Sequence, residues 1–94
     1  MRISASDRDP GYRPESRFAV IYLDGEPVDH VITADEEQRA VIVHPYENGR
    51  PVIQGEGDEA RFAMRVLVGD VKIKFRHDAP SWVRLEHANR IEAA

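Results

Sequence analysis

Three dipeptides, Asp24-Gly25, Asn48-Gly49 and Gly69-Asp70, punctuate the middle of the chain, and each lies between runs rich in β-branched and aromatic residues. Two-residue β-hairpin loops need positive φ at one or both central positions, which Asp-Gly, Asn-Gly and Gly-first pairs supply at low steric cost. The flanking runs are RFAVIYL and EPVDHVIT, RAVIVHPY and RPVIQ, then RFAMRVLV and VKIKFR. No helical period separates them. The expected fold is all-β: an antiparallel meander of about six strands in three hairpins over residues 17–76, closed as a small barrel or folded as a sandwich.

Each turn implies a register. Around Asp24-Gly25, Ile21 is expected to face Val28 and Leu23 to face Glu26, with Val20 beside Asp29, Ala19 beside His30 and Phe18 beside Val31. Around Asn48-Gly49, Glu47 faces Arg50 and His44 faces Ile53. Pro51 then sits near the turn of an edge strand, where its missing N–H is tolerated. Around Gly69-Asp70, Val68, Val66 and Met64 are expected to meet Val71, Ile73 and Phe75 as one apolar face. The opposite face then carries Leu67 beside Lys72, Arg65 beside Lys74 and Ala63 beside Arg76.

The ends differ in character. Residues 1–16 hold Pro10, Gly11 and Pro14 among charges of both signs, and proline disfavours helix at the residue before it, so an extended arm that orders where it docks is expected. Residues 77–94 read as a short helix or a docked tail, with Trp82, Leu85, Ala88 and Ile91 recurring every three residues and Asp78 or Ser81 as a cap. SWVRLE reads equally as a further strand.

Composition narrows the function. The 94 residues carry no cysteine, which excludes thiol chemistry, disulfides and cysteine-based zinc sites. A formal charge of −4 argues against a generally basic nucleic-acid binder. No apolar run approaches the ~20 residues of a membrane span, and the first residues lack the apolar core of a secretory signal. His30, His44, His77 and His87 fall on separate elements without metal-ligand spacing. Ser4, Ser6, Ser16, Thr33 and Ser81 show no nucleophile elbow. No phosphate-binding or dinucleotide motif is present. The clusters Asp35-Glu36-Glu37 and Glu56-Gly57-Asp58-Glu59 lack the alternation of a calcium loop and read as solvated connections. The expectation is a chain that is not an enzyme and holds no cofactor or metal.

The candidates that remain are for binding partners. Arg65 opposite Lys74 is a like-charge cross-strand pair, which destabilises a sheet unless something offsets it. With Arg61, Lys72 and Arg76 it forms a cationic hairpin face suited to an acidic protein surface or, less well for want of interleaved aromatics, to nucleic acid. Tyr12 and Arg13 in the arm and Trp82 in the tail are residue types that dominate interface hot spots. The partner-binding set is therefore Tyr12, Arg13, Arg65, Lys72, Lys74, Arg76 and Trp82.

The stretch DRDPGYRPES (7–16), followed by YLDGEPVDHVITADEE (22–37), resembles small proteins encoded in tailed-phage and prophage genomes of proteobacteria. In that group a PGYRP-type arm precedes a DG hairpin and an acidic A-D-E-E stretch. The resemblance spans residues 7–37, extends more loosely to Phe75, and does not include 77–94. Its motifs are turns and loops and imply no activity. It implies a non-enzymatic structural or accessory protein that binds a virion lattice or its own copies, placed in the host cytoplasm or the virion. The alternative it implies is an inhibitor of a host defence or regulatory complex.

Overall fold

In the computed structural model, which describes residues 1–92, the chain runs through eleven short strands, one α-helix and three short 3-10 helices, Pro14–Phe18, Gly57–Glu59 and Ala88–Arg90. These are β1 (Arg2–Ser4), β2 (Ala19–Leu23), β3 (Glu26–Val28), β4 (Val31–Asp35), β5 (Ala40–Val43), β6 (Tyr46–Glu47), β7 (Arg50–Pro51), β8 (Ile53–Gln54), β9 (Arg61–Phe62), β10 (Arg65–Val68), β11 (Val71–Phe75) and α1 (Ser81–Glu86). Pairing is antiparallel between all named strands. The fold is all-β with a short C-terminal helix, and it is not a closed barrel: a four-stranded sheet, β1-β4-β5-β10, faces a three-stranded one, β11-β2-β3, and two short ribbons extend from them.

Two turns form as their dipeptides dictate. Asp24 and Gly25 take φ of 52° and 86°, and β2 pairs with β3 with Ile21 opposite Val28 and Leu23 opposite Glu26. Asn48 and Gly49 take 52° and 76°, setting Glu47 opposite Arg50.

Beyond these turns the strands part company. EPVDHVIT breaks into β3 and β4 at His30, whose φ of 60° swings the chain into the other sheet. The expected pairs Phe18–Val31, Ala19–His30 and Val20–Asp29 therefore do not form, and Ala19 and Val20 face Phe75 and Lys74 instead. His30 is exposed, its ring stacked on Tyr46 at 3.6 Å. His44 does not meet Ile53, which pairs with Phe62. Its backbone N–H donates to the His30 carbonyl at 3.0 Å and its Nδ1 lies 3.0 Å from the Ala63 carbonyl. A hairpin with no glycine joins β4 to β5, closed by Arg39 at φ 57°.

The third expected hairpin is absent. β10 pairs with β5 and β11 pairs with β2, so Gly69-Asp70 carries the chain from one sheet to the other. Asp24 clamps the crossing: its carboxylate accepts the Asp70 N–H at 2.8 Å, and its own N–H donates to the Asp70 carbonyl at 2.8 Å. Gly69 is outside the left-handed region, and a Cβ there would lie 2.7 Å from an Asp24 carboxylate oxygen. The crossing also removes an unfavourable pair: Arg65 faces Val43 and Lys74 faces Val20, so the two cations lie on different sheets and no longer oppose one another.

The core lies between the sheets. Ile3, Ala34, Val41 and Val43 come from one layer and Ile21, Val71, Ile73 and Phe75 from the other, with Ala79 and Val83 closing one end. Strand β11 alternates strictly, Val71, Ile73 and Phe75 buried and Lys72 and Lys74 exposed, as a half-buried strand should.

The two ends are part of this structure. The arm begins as β1, an edge strand paired with β4, and its loop returns to bridge Tyr12 to Ser4. In the tail, Val83 of α1 and His87 just beyond it point inward, while Trp82 stays 45 % and Leu85 82 % exposed, so within α1 the three-residue recurrence falls on the outer face; Ile91, further along, does pack against the core. Neither Asp78 nor Ser81 caps α1; Pro80 holds the N-cap position without a side-chain bond, and Asp78 pairs with Arg76 at 3.2 Å.

Candidate functional site

A sheet edge offers a row of unpaired backbone donors and acceptors, and soluble proteins usually cover, shorten or break such rows. Three of the four edges of the two larger sheets are managed that way. Strand β3 is three residues long and contains Pro27. Along β1 the arm folds back, the Ser4 N–H donating to the Gly11 carbonyl at 3.0 Å and the Ser16 hydroxyl to the Ser4 carbonyl at 3.2 Å.

The β11 edge is closed by charge and by the tail. Glu36 accepts the Ile73 N–H at 3.0 Å and Arg90 Nη1 at 2.8 Å, Arg90 Nη1 also reaches the Ile73 carbonyl at 3.2 Å, and the Glu92 N–H donates to Phe75 at 2.7 Å. Burial pushes the Glu36 carboxyl up, but Arg90, the Ile73 N–H and the chain's amino group outweigh it, so its pKa lies below the ordinary value. Asp35 is likewise lowered, by the Gln38 N–H that it accepts and then, against its burial, by Arg2. The stretch expected as a solvated connection therefore has two of its three acids drawn inward, because two chain ends need anchoring there. The second acidic stretch, around Gly57–Glu59, is exposed as expected.

The fourth edge, β10, is open. The Gly69 N–H donates to the Arg39 carbonyl at 3.0 Å, which continues the β10–β5 ladder and assigns its hydrogen-bonded pairs to Arg65–Val43 and Leu67–Val41. The alternating backbone groups, those of Val66 and Val68, point away from β5. Among the described residues no other segment bonds to them. Their side chains are also bare: Met64 is 62 %, Val66 60 % and Val68 73 % exposed, and Phe62 on the same run is 53 % exposed.

From the sequence, these three side chains are expected to share one apolar face with β11. Only the β11 half of that face is buried, because β11 found Leu23, Ile21 and Ala19 as partners across β2.

The sequence-derived binding residues scatter over the molecule. Lys72 and Lys74 lie on the outer face of the three-stranded sheet beside Tyr22, with Lys74 Nζ 5.9 Å from the ring centroid, and the Tyr22 hydroxyl donates to Glu92. Arg76 and Trp82 meet around Phe18, Arg76 at 5.7 Å from its ring and Trp82 edge-on at 6.3 Å, with Arg17 at 5.0 Å. Arg65 stands apart on β10, and Tyr12 and Arg13 are exposed at the end of the arm's loop. The cationic hairpin face is thus dispersed over two sheets.

One titratable cluster escaped the sequence reading. His87 Nε2 and Glu15 Oε2, both buried, lie 3.1 Å apart, and His87 stacks on Phe75 at 4.3 Å. Glu86 Oε1 is 4.0 Å from the same nitrogen, and among the described residues Glu15, Glu86 and His87 are the three groups close enough to share a cation. Burial raises the Glu15 carboxyl, yet the hydrogen bond with His87 and a backbone N–H prevail and lower its pKa. The ionised Glu15 therefore spends its charge on an internal pair that ties α1 to the arm. No sequence signal reveals it, since its members are 72 positions apart.

An open cleft of about 300 Å³ lies at the corner where β3 gives way to β4, with Ser16, Val28, Asp29 and Val31 in its wall. No helix among the described residues is long and apolar enough to cross a membrane. Compared with known protein families, curated proteins and solved structures, the chain matches none of them.

Proposed function

We propose that this chain is a non-enzymatic assembly protein, a phage or prophage structural or accessory component that binds a virion lattice or its own copies. The observation that carries the reading is the open β10 edge with Met64, Val66 and Val68 more than half exposed. Exposed apolar residues in a contiguous row mark interaction sites more often than chance, and an unpaired strand beside them adds backbone bonding as a second source of affinity. The phage assignment is supported by the resemblance of residues 7–37.

The test is affinity co-purification of the tagged chain from infected and uninfected host lysates, with nuclease treatment and a salt series, read by mass spectrometry. Capsid or tail proteins recovered only after infection, and the chain itself in purified particles, are the expected result. One host complex held stoichiometrically from uninfected cells overturns it in favour of the inhibitor. Nuclease-sensitive recovery that collapses with salt and is abolished by Lys74→Glu would assign the Lys72–Lys74 face to nucleic acid instead.

A further inference from the structure

We infer that the occupant of the open β10 edge is the β10 strand of a second copy of this chain, joined antiparallel about a two-fold axis through Val66, so that two four-stranded sheets become one continuous sheet. The inference rests on the assembly reading above and names the contact through which copies meet.

The argument begins with what the edge lacks. Pro27 and short length guard β3, the arm guards β1, and Glu36, Arg90 and the tail guard β11. Strand β10 has no proline, among the described residues no segment covers it, and its one charged residue, Arg65, shares the face of Leu67 but stays exposed. Such a strand is a template for another, and the strand most often available at equal concentration is its own copy.

The register follows from the backbone. Outward-facing N–H and C=O groups belong to the even positions, so an antiparallel mate must set even against even. A two-fold at Arg65 does this but places Arg65 against Arg65 of the second copy, a like-charge pair in direct opposition. A two-fold at Leu67 sets Met64 against Asp70, whose N–H is already committed to Asp24 at 2.8 Å as the chain leaves for the other sheet. A two-fold at Val66 avoids both. It sets Val66 against Val66 and Met64 against Val68, each pair exchanging two hydrogen bonds, and it sets Arg65 against Leu67.

Side chains agree with this choice. Met64, Val66 and Val68 of both copies then share one outer face and cover one another, and these are the residues that the single chain leaves 62 %, 60 % and 73 % exposed. Charge is complementary along the seam as well. The run starts basic at Arg61 and ends acidic at Asp70, so antiparallel pairing brings the basic start of one copy toward the acidic end of the other.

The test uses the full chain in light-scattering chromatography across a concentration series, with circular dichroism as the control for folding. The wild type is expected at twice its 10.7 kDa chain mass at high concentration. Val66→Lys places two cations on the axis, and Val66→Pro removes an N–H that β5 does not use; each is expected to weaken the dimer at least tenfold with the spectrum unchanged. Because the chain has no cysteine, Val66→Cys is expected to give a disulfide-linked dimer on mild oxidation, since hydrogen-bonded antiparallel mates lie ~5.5 Å apart, within disulfide range. Val68→Cys, facing Met64, is expected to link far less. A monomeric wild type at all concentrations, a dimer indifferent to Val66→Lys, or preferential linkage through Val68→Cys overturns the inference. Presence of the chain in purified particles is scored separately, so a lost dimer and a lost virion role are different results.

Discussion

Replacing Gly69 by alanine distinguishes the crossing between sheets from the hairpin that its sequence suggests. In a type II′ hairpin the first loop residue has positive φ, and alanine there is strained whatever surrounds it. In the crossing Gly69 is outside the left-handed region, and the obstacle is instead the Asp24 carboxylate, 2.7 and 2.9 Å from the added Cβ. Carboxylate and methyl cannot share that space, so Asp24 must swing away and release the Asp70 N–H, a bond of 2.8 Å. A hydrogen bond to a charged group contributes about 1.5–3 kcal/mol when sheltered, and this one is exposed, so a loss of about 1–2 kcal/mol is expected. Asp24→Gly removes the obstacle and suits the φ of 52° at that position. In that background Gly69→Ala should be neutral or should stabilise by about 0.4–1 kcal/mol, through reduced freedom of the unfolded chain. The coupling between the two sites is then about 2 kcal/mol. Chemical denaturation of the four proteins of the cycle measures it, and thermal melts should follow at roughly 4–8 °C per kcal/mol for a chain of this size. Equal destabilisation by Gly69→Ala in both backgrounds would refute the crossing and restore the hairpin.

Further outcomes are expected at other sites. Glu15, Asp35 and Glu36 all have folded pKa values below their ordinary ones, so the stability they contribute is complete above the unfolded values of 4.5, 3.8 and 4.5 and is lost as pH falls through the lower folded values. The contribution of these three carboxylates should accordingly be constant down to about pH 5, and denaturation midpoints should drop below it. Glu36→Gln keeps an acceptor for Ile73 but gives up the charge facing Arg90, and should cost about 1–2 kcal/mol at pH 7, converging on wild type in acid; an undiminished difference at pH 3 would refute the ionic account. Val83→Ala should cost about 1–3 kcal/mol, because Val83 is fully buried, whereas Leu85→Ala should stay within about 0.5 kcal/mol because Leu85 is 82 % exposed. The reverse ranking in a denaturant series would mean that the tail packs on the other side of α1.

What the sequence determined by itself is local. Asp24-Gly25 and Asn48-Gly49 select positive φ at adjacent positions, and no distant residue is needed to turn the chain there or to oppose Ile21 to Val28 and Glu47 to Arg50. Alternation in VKIKF likewise determines which side of β11 is buried, because side chains of a strand alternate whatever strand lies next to it. The all-β class follows from those two kinds of signal. The tertiary structure decided which strand lies next to which. Alternation is equally satisfied by β10 or β2 as the neighbour of β11; with β2 in that place Asp24 bonds Asp70 and Arg65 and Lys74 no longer stand opposed. With that choice Met64, Val66 and Val68 lost the β11 side chains expected beside them and came to lie on an open edge, and the expected cationic face was divided between sheets. The sequence did carry a warning in the Arg65–Lys74 opposition, which is a property of a register and disappears when the register does. The Glu15–His87 pair and the Glu36–Arg90 anchor carried none, since burial of a charge and the approach of its partner arise only when segments 72 and 54 positions apart are packed together.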